Sequence, residues 1–299
     1  MMLILKILSA ILLFTVVETT ITYLIRWYDL TNFGERAVKG AWPRDINMLQ
    51  GLKGICLDAL SFFFHIVSTP TRFYYDKALK YVPCEKQPIL MIHGWSSGSH
   101  AFLLMRGFLK RRGYRNIYAL TYRPVLADVK KLAQQVADRI DRVLDVTGAD
   151  SIDVITHSMG GVLARYTIKH LEANKKIRKV ISLGGPHMGT RIVTFVPFGK
   201  STMQMTYRGD FISRLSQGGL APGDVKYTAI YSDFDNYVLP YHSSDLGAGA
   251  KNIQVPFHGH FYLLYSPRIM KLVADELEDF EKEEERAVSH LESISSLPG

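Results

Sequence analysis

The chain has 299 residues, of which 47% are hydrophobic, 11% aromatic and 21% charged. Those proportions exclude a disordered, collagenous or coiled-coil protein, and the length allows one large α/β domain plus an extension. The net charge of +8 is uneven: Asp275 to Arg286 holds eight acids and two bases, so the remainder carries 34 bases against 20 acids. A basic body of this kind suits anionic headgroups or is simply a solvated surface, and no basic-aromatic pattern points to nucleic acid.

Taken in chain order, the first element is apolar. Leu3 to Ile25 contains only two charges, Lys6 and Glu18, and Ile7 to Val17 is apolar apart from Ser9 and Thr15. A spanning helix needs about 20 residues. The segment reaches that length only by including Glu18 and four threonines, Thr15, Thr19, Thr20 and Thr22. No Ala-x-Ala-like cleavage site follows, and Arg26-Trp27-Tyr28 has the basic and aromatic character of a headgroup border. Residues 1–27 are therefore expected to form an uncleaved membrane anchor, with a cleaved signal or an interfacial helix as the alternatives.

Residues 28–80 form a connecting region. Its apolar part, Ile55 to Val67, includes Asp58 and His65 and is short for a span. It suits a helix lying on a bilayer or packed on the following domain. Arg26, Arg36, Lys39 and Arg44 outnumber the bases before the first segment, which leaves the following loop cytoplasmic. If Ile55 to Val67 also crosses, the rest of the chain returns to the far side. Cys56 and Cys84 permit one bridge, although Cys56 falls in the apolar stretch, where burial is the simpler expectation.

From about Tyr81 the pattern alternates between strands and helices, as in an α/β domain with a mostly parallel sheet and helices on both faces. Pro88 to His93 is an apolar strand ending at Gly94, and Asn116 to Tyr122 is a second. A helix follows, with Val125, Val129, Leu132, Val136, Ile140, Val143 and Leu144 at spacings of three and four. Ser151 to Thr156 leads into Ser158, and small residues after it open a helical segment from Val162 to Leu171. Arg178 to Leu183, Val225 to Tyr231 and Asn252 to Val255 are further strands, and Pro267 to Glu285 is a closing helix.

Strand, sharp turn and helix around Ser158 make a nucleophile elbow, which lifts a serine hydroxyl out of the sheet. A serine hydroxyl becomes a useful nucleophile only when a histidine takes its proton and a carboxylate orients that histidine. In this kind of fold the three follow the chain order Ser, acid, His. The acids placed just past a strand are Asp233 and Asp235, and the bases are His242, His258 and His260. Singly, each is an ordinary loop residue; their joint order after Ser158 is the signal.

Four segments carry a family resemblance: Ile92-His93-Gly94-Trp95, Asp153 to Gly161, Ile230 to Val238, and Asn252 to Ser266. The chain resembles bacterial lipases of the α/β-hydrolase fold, the small Bacillus-type triacylglycerol lipases above all. The resemblance covers Pro88 to the closing helix. It implies Ser158 as nucleophile, with Asp153 five residues ahead of it. It selects Asp235, three residues after Ile-Tyr-Ser, over Asp233. It selects His260, in a Gly-His pair before Leu263-Leu264-Tyr265-Ser266, over His258. The departure is Thr156, where the common elbow has Gly and these lipases Ala.

The same resemblance puts the oxyanion donors on the backbone N–H groups of Met159 and Trp95. His93, Gly94 and His157 flank that pocket as further candidates. Residues 186–222 insert Phe195, Phe198, Met203, Met205, Phe211, Ile212 and Leu215, an apolar density that suits a cap over an acyl chain or an ordinary packed helix. With residues 81–299 as the catalytic domain, the expected partners are a lipid or long-chain ester and a membrane. The expected place is a bacterial inner membrane, with the periplasmic or cytoplasmic side open. No residue spacing suggests a catalytic metal or other cofactor, although some similar lipases hold a structural calcium. Acyl transfer by the same triad and non-catalytic lipid or partner binding are the alternative functions.

Overall fold

A computed structural model describes residues 2–33, 48–75 and 79–295. Arg36, Lys39 and Arg44, on which the orientation argument partly rests, lie outside the described residues. The strands are β1 Ile89–Ile92, β2 Ile117–Leu120, β3 Ile152–His157, β4 Ile177–Leu183, β5 Lys226–Ser232 and β6 Lys251–Val255. They form one six-stranded sheet in the order β2-β1-β3-β4-β5-β6, with every neighbouring pair parallel. The helices are α1 Met2–Asn32, α2 Met48–Val67, α3 Arg72–Tyr75, α4 Leu103–Arg111 and α5 Val129–Thr147. They continue with α6 Met159–His170, α7 Gly199–Gln204, α8 Asp210–Leu215, α9 Tyr262–Tyr265 and α10 Pro267–Ser295.

A parallel sheet is covered on both faces, so its strands are apolar without alternation. Strand β1 shows why. Leu90 and Ile92 join the core formed with Leu132, Val136 and Ile140 of α5 and Val162 and Leu163 of α6. Ile89 and Met91 point the other way, into Met105 and Leu109 of α4 and Ile269, Val273 and Leu277 of α10. Each such side chain contributes about 1.5–3 kcal/mol by leaving water. Helix α5 begins at Val129 rather than Val125 because Asp128 caps it, accepting from the Lys130 amide at 3.0 Å. Helix α4 is an element that the sequence pattern did not reveal.

The N-terminal helices have an inverted pattern. In α1 the buried residues are Thr15, Thr19, Thr22 and Asp29, while Leu13, Phe14, Val16, Val17, Ile21 and Leu24 are exposed. In α2 the buried set is Gly51, Gly54, Asp58, Ser61 and His65, spaced by three and four, together with Ala59. Small and polar residues face the protein, and apolar ones face outward. Among the described residues these are the two helices long and apolar enough to cross a membrane. Cys56 is exposed on α2, and both cysteines are free thiols; the apolar neighbours of Cys56 face outward with it, which is why expecting burial there was wrong.

Candidate active site

The carboxyl ends of β1, β3, β5 and β6 bring four loops to one edge of the sheet, where α/β proteins bind ligands. The first is the elbow. Ser158 has φ +54° and ψ −128°, a backbone state costly for a residue with a Cβ. The turn is closely packed on both sides. A Cβ on Gly160 would stand 2.3 Å from the Ile92 carbonyl oxygen, and one on Gly94 would stand 2.8 Å from the Ser158 Cβ. Glycine is required at both positions by close approach. The Thr156 side chain is fully buried behind the turn.

The loops after β5 and β6 meet at Asp235 and His260. Asp235 Oδ2 lies 2.8 Å from His260 Nδ1, and its Oδ1 accepts from the Tyr237 and Val238 amides at 2.8 and 2.9 Å. A buried carboxylate with three donors is held in one orientation. It also fixes the proton of His260 on Nδ1, leaving Nε2 as the basic nitrogen. The backbone of His260 is anchored as well: its amide donates to Asn236 Oδ1 at 3.1 Å, and its carbonyl receives His157 Nε2 at 3.1 Å. The Tyr237 ring stacks on the imidazole with centroids 5.0 Å apart. Gly184, at φ +53°, closes the pair from the other side, where a Cβ would lie 3.1 Å from Asp235 Oδ2. Among the described residues no hydrogen bond joins Ser158 Oγ to His260.

The competing candidates sit elsewhere. His258 Nδ1 binds the Pro256 carbonyl at 2.7 Å, and its Nε2 meets Ser266 Oγ at 2.9 Å. Asp233 gives its carbonyl to Arg26 at 2.6 Å. His242 is 3.5 Å from Tyr207 Oη. Asp153 is buried in a two-point ion pair with Arg178, at 2.8 Å on each arm, and ties β3 to β4.

The loop after β1 is stapled from below. Tyr122 Oη lies 2.8 Å from both the His93 and Gly94 carbonyls, and His93 stacks on the Tyr122 ring at 4.1 Å. His93 Nδ1 donates to Gly94 O at 2.7 Å. With its carbonyls taken, the loop keeps its N–H groups for other partners. Met159 is the first residue of α6, so its N–H has no partner within the helix. His93 and His157, expected beside the pocket, are both buried, held by Tyr122 and by His260 respectively. Sequence reasoning missed Tyr122, Asn236, Tyr237 and Gly184. Asn236 and Tyr237 directly follow Asp235, and an Asp that accepts from the amides two and three residues on was the available signal.

The segment 186–222 divides in two. Ile192, Val193, Met205, Ile212 and Leu215 are buried in the core, whereas Phe195, Phe198 and Met203 are exposed. Arg165 of α6, wholly buried, donates to His187 O at 2.7 Å and Ser216 Oγ at 3.2 Å, rooting the segment to the elbow helix.

Buried histidines set a pH dependence. Burial holds His93 down to about 3 and pushes His157 and His187 well below the ordinary imidazole value. The folded chain keeps them neutral where the unfolded chain protonates them, so stability falls as pH drops below about 6.5. Each histidine contributes up to about 1.4 kcal/mol per pH unit in that window. Asp153 and Asp233, raised by burial against the pull of Arg178 and Arg26, act in the opposite direction, while His258, lowered by burial, adds to the histidine side. Thermal unfolding followed from neutral pH to about 4.5 should show Tm falling steadily below about 6.5; a flat Tm would contradict neutral histidines.

A family model described as lipase (class 2) matches residues 86–243. The matched span contains the β1 loop, the elbow and Asp235, and stops before His260. Among solved structures, the chain is similar to Aspergillus fumigatus lipase B, with a TM-score of 0.59 at 22% identity. That match covers 68% of this chain and 53% of the fungal one, so the chain spans about half the length of that lipase. It is similar to Bacillus licheniformis lipase BlEst2 in mature form, with a TM-score of 0.58 at 16% identity over 66% and 96% of the two chains. A bromoperoxidase from Bacillus anthracis matches at 0.50 and 12% identity over 65% and 93%. At these identities the likeness is one of fold, the α/β-hydrolase fold, and it spans more than one chemistry. The chemistry has to come from the site.

Proposed function

We propose that this chain, which belongs to the class 2 lipases, is a carboxylic ester hydrolase that cleaves lipid or long-chain esters through an acyl-enzyme on Ser158, His260 and Asp235. The observation that supports this best is the Asp235–His260 pair at 2.8 Å, set at the same sheet edge as a serine on a strained elbow. In the first half-reaction Ser158 Oγ attacks the ester carbonyl, while His260 Nε2 takes the hydroxyl proton and passes it to the departing alcohol oxygen. The carbonyl oxygen becomes an oxyanion facing the N–H groups of Met159 and Trp95. Water then attacks the acyl-serine, again with His260 as base, releasing the acid and restoring the hydroxyl. Residues 81–299 form the catalytic unit in this scheme, with 186–222 as its cap and the exposed Phe195 and Phe198 available to an acyl chain. The N-terminal segment is the membrane anchor.

Hydrolysis of p-nitrophenyl esters from acetate to palmitate, by the full chain in detergent micelles, tests this. Turnover should rise with acyl length. A preference for acetate would mean a carboxylesterase with a narrow pocket, and release of p-nitrophenol only with an added alcohol acceptor would mean acyl transfer.

A further inference from the structure

The N-terminal helices hold the loops of the site. Asp58 of α2 is fully buried, and its Oδ1 accepts from the Phe261 and Tyr262 amides at 2.9 Å each, directly after His260. Directly before His260, a Cβ on Gly259 would stand 2.2 Å from Asp58 Cγ, so glycine is the residue that lets this carboxylate in. Thr22 Oγ1 of α1 accepts from Asn236 Nδ2 at 2.8 Å, and Asn236 Oδ1 is the partner of the His260 amide. Glu18 accepts the hydroxyl of Tyr237, whose ring stacks on His260. Arg26 donates to Asp233 O and lies over the Phe234 ring. His65 of α2 reaches the β1 loop, 3.1 Å from Ser97 Oγ. Phe62 of α2 stacks on Phe261 at 4.2 Å.

Polar residues of two apolar helices thus converge on the acid loop, the base loop and the β1 loop. A removable leader has no need of such contacts. We propose that Asp58 and Thr22 are positioning residues of the catalytic centre, setting His260 through the loop on either side of it. Helices α1 and α2 are then a permanent part of the working enzyme, which excludes cleavage of α1 as a signal. This rests on Asp235 and His260 being the acid and base. The mechanism is geometric: a general base displaced by about 1 Å loses up to about 100-fold in rate, and His260 depends on its neighbours' amides for its place.

The test uses the full-length chain in detergent with p-nitrophenyl acetate, whose short acyl group makes little use of the cap. Asp58→Ala should lower kcat by about 100-fold and Thr22→Val by about tenfold, both with KM nearly unchanged. Labelling by a fluorophosphonate should slow in parallel. Asp58→Asn keeps an Oδ1 acceptor for both amides and should restore kcat to within about tenfold of wild type. Asp29→Asn, which weakens the ion pair of α1 with the Arg191 guanidinium but leaves the Arg191 amide on Leu239 O, should lower Tm and leave kcat alone. The proposal is overturned if Thr22→Val keeps wild-type kcat, if Asp58→Asn is no better than Asp58→Ala, or if Asp29→Asn costs as much kcat as Thr22→Val. Should Asp58→Ala not fold, Thr22→Val and Asp29→Asn decide alone. Ser158→Ala in the same assay separates the two levels. If it retains turnover, the triad assignment fails; if it is silent while the α1 and α2 variants behave as wild type, only the positioning role fails.

Discussion

Ser158→Ala should lower ester turnover by about 10³- to 10⁶-fold and leave the fold intact. In the proposed acyl-enzyme mechanism the size follows from losing the only atom that would bond to the acyl group; whatever remains would be catalysis by the proposed oxyanion donors acting on water. The fold survives for a local reason. Ser158 Oγ makes no hydrogen bond to His260 among the described residues, and alanine keeps the Cβ that packs against Gly94. Alanine also keeps the backbone penalty at φ +54°. Ser158→Gly removes that penalty, so it should be equally inactive yet about 1–3 kcal/mol more stable than Ser158→Ala. Kinetics with a fluorophosphonate titration, together with Tm for both variants, checks each part. Substantial turnover by Ser158→Ala would require another nucleophile, and a Gly variant no more stable than the Ala variant would mean that the elbow is relaxed.

Much of the sheet was legible because parallel strands, buried on both faces, appear as short apolar runs ended by turn residues, as Ile89 to Ile92 does before His93-Gly94. The elbow was legible for the same reason, since a strand, a serine and small residues must follow one another there. Helix α4 was not. Its buried residues are Met105 and Leu109 alone, and Gly107 with Arg106, Lys110 and Arg111 hides a two-residue contact in a basic stretch. The N-terminal helices show a deeper limit. Thr15, Thr19, Thr22 and Asp58 looked like impurities that an apolar segment had to tolerate, whereas in the structure they are its packed face. Hydropathy measures what a helix can be immersed in and is silent about which side meets protein. The partners are distant in sequence as well: Thr22 meets Asn236, and Asp58 meets Phe261. No local period encodes that.

The second large effect distinguishes two histidines two residues apart. With His260 as the proposed base, His260→Ala should cost about 10³- to 10⁶-fold in kcat, because a serine without its base stays protonated. His258→Ala should cost less than about tenfold in kcat and about 1–3 kcal/mol in stability, because it strands the Ser266 hydroxyl and the Pro256 carbonyl, groups that the imidazole now joins. The two carboxylates divide in the same way. Asp235→Asn replaces the acceptor of the His260 Nδ1 proton by an amide that can present N–H instead, which favours the wrong tautomer and costs about 10³- to 10⁴-fold. Asp233 engages Arg26 through its backbone carbonyl, a bond that Asp233→Asn keeps, so that variant should stay near wild type. Stability and turnover measured on all four variants give a crossed pattern: large kinetic losses with intact folds at 235 and 260, small kinetic losses at 233 and 258, and a lowered Tm at 258. Equal kinetic losses at 258 and 260 would mean that the loop, rather than one imidazole in it, is what the chemistry needs. The base would then have to be sought outside the Asp235 pair.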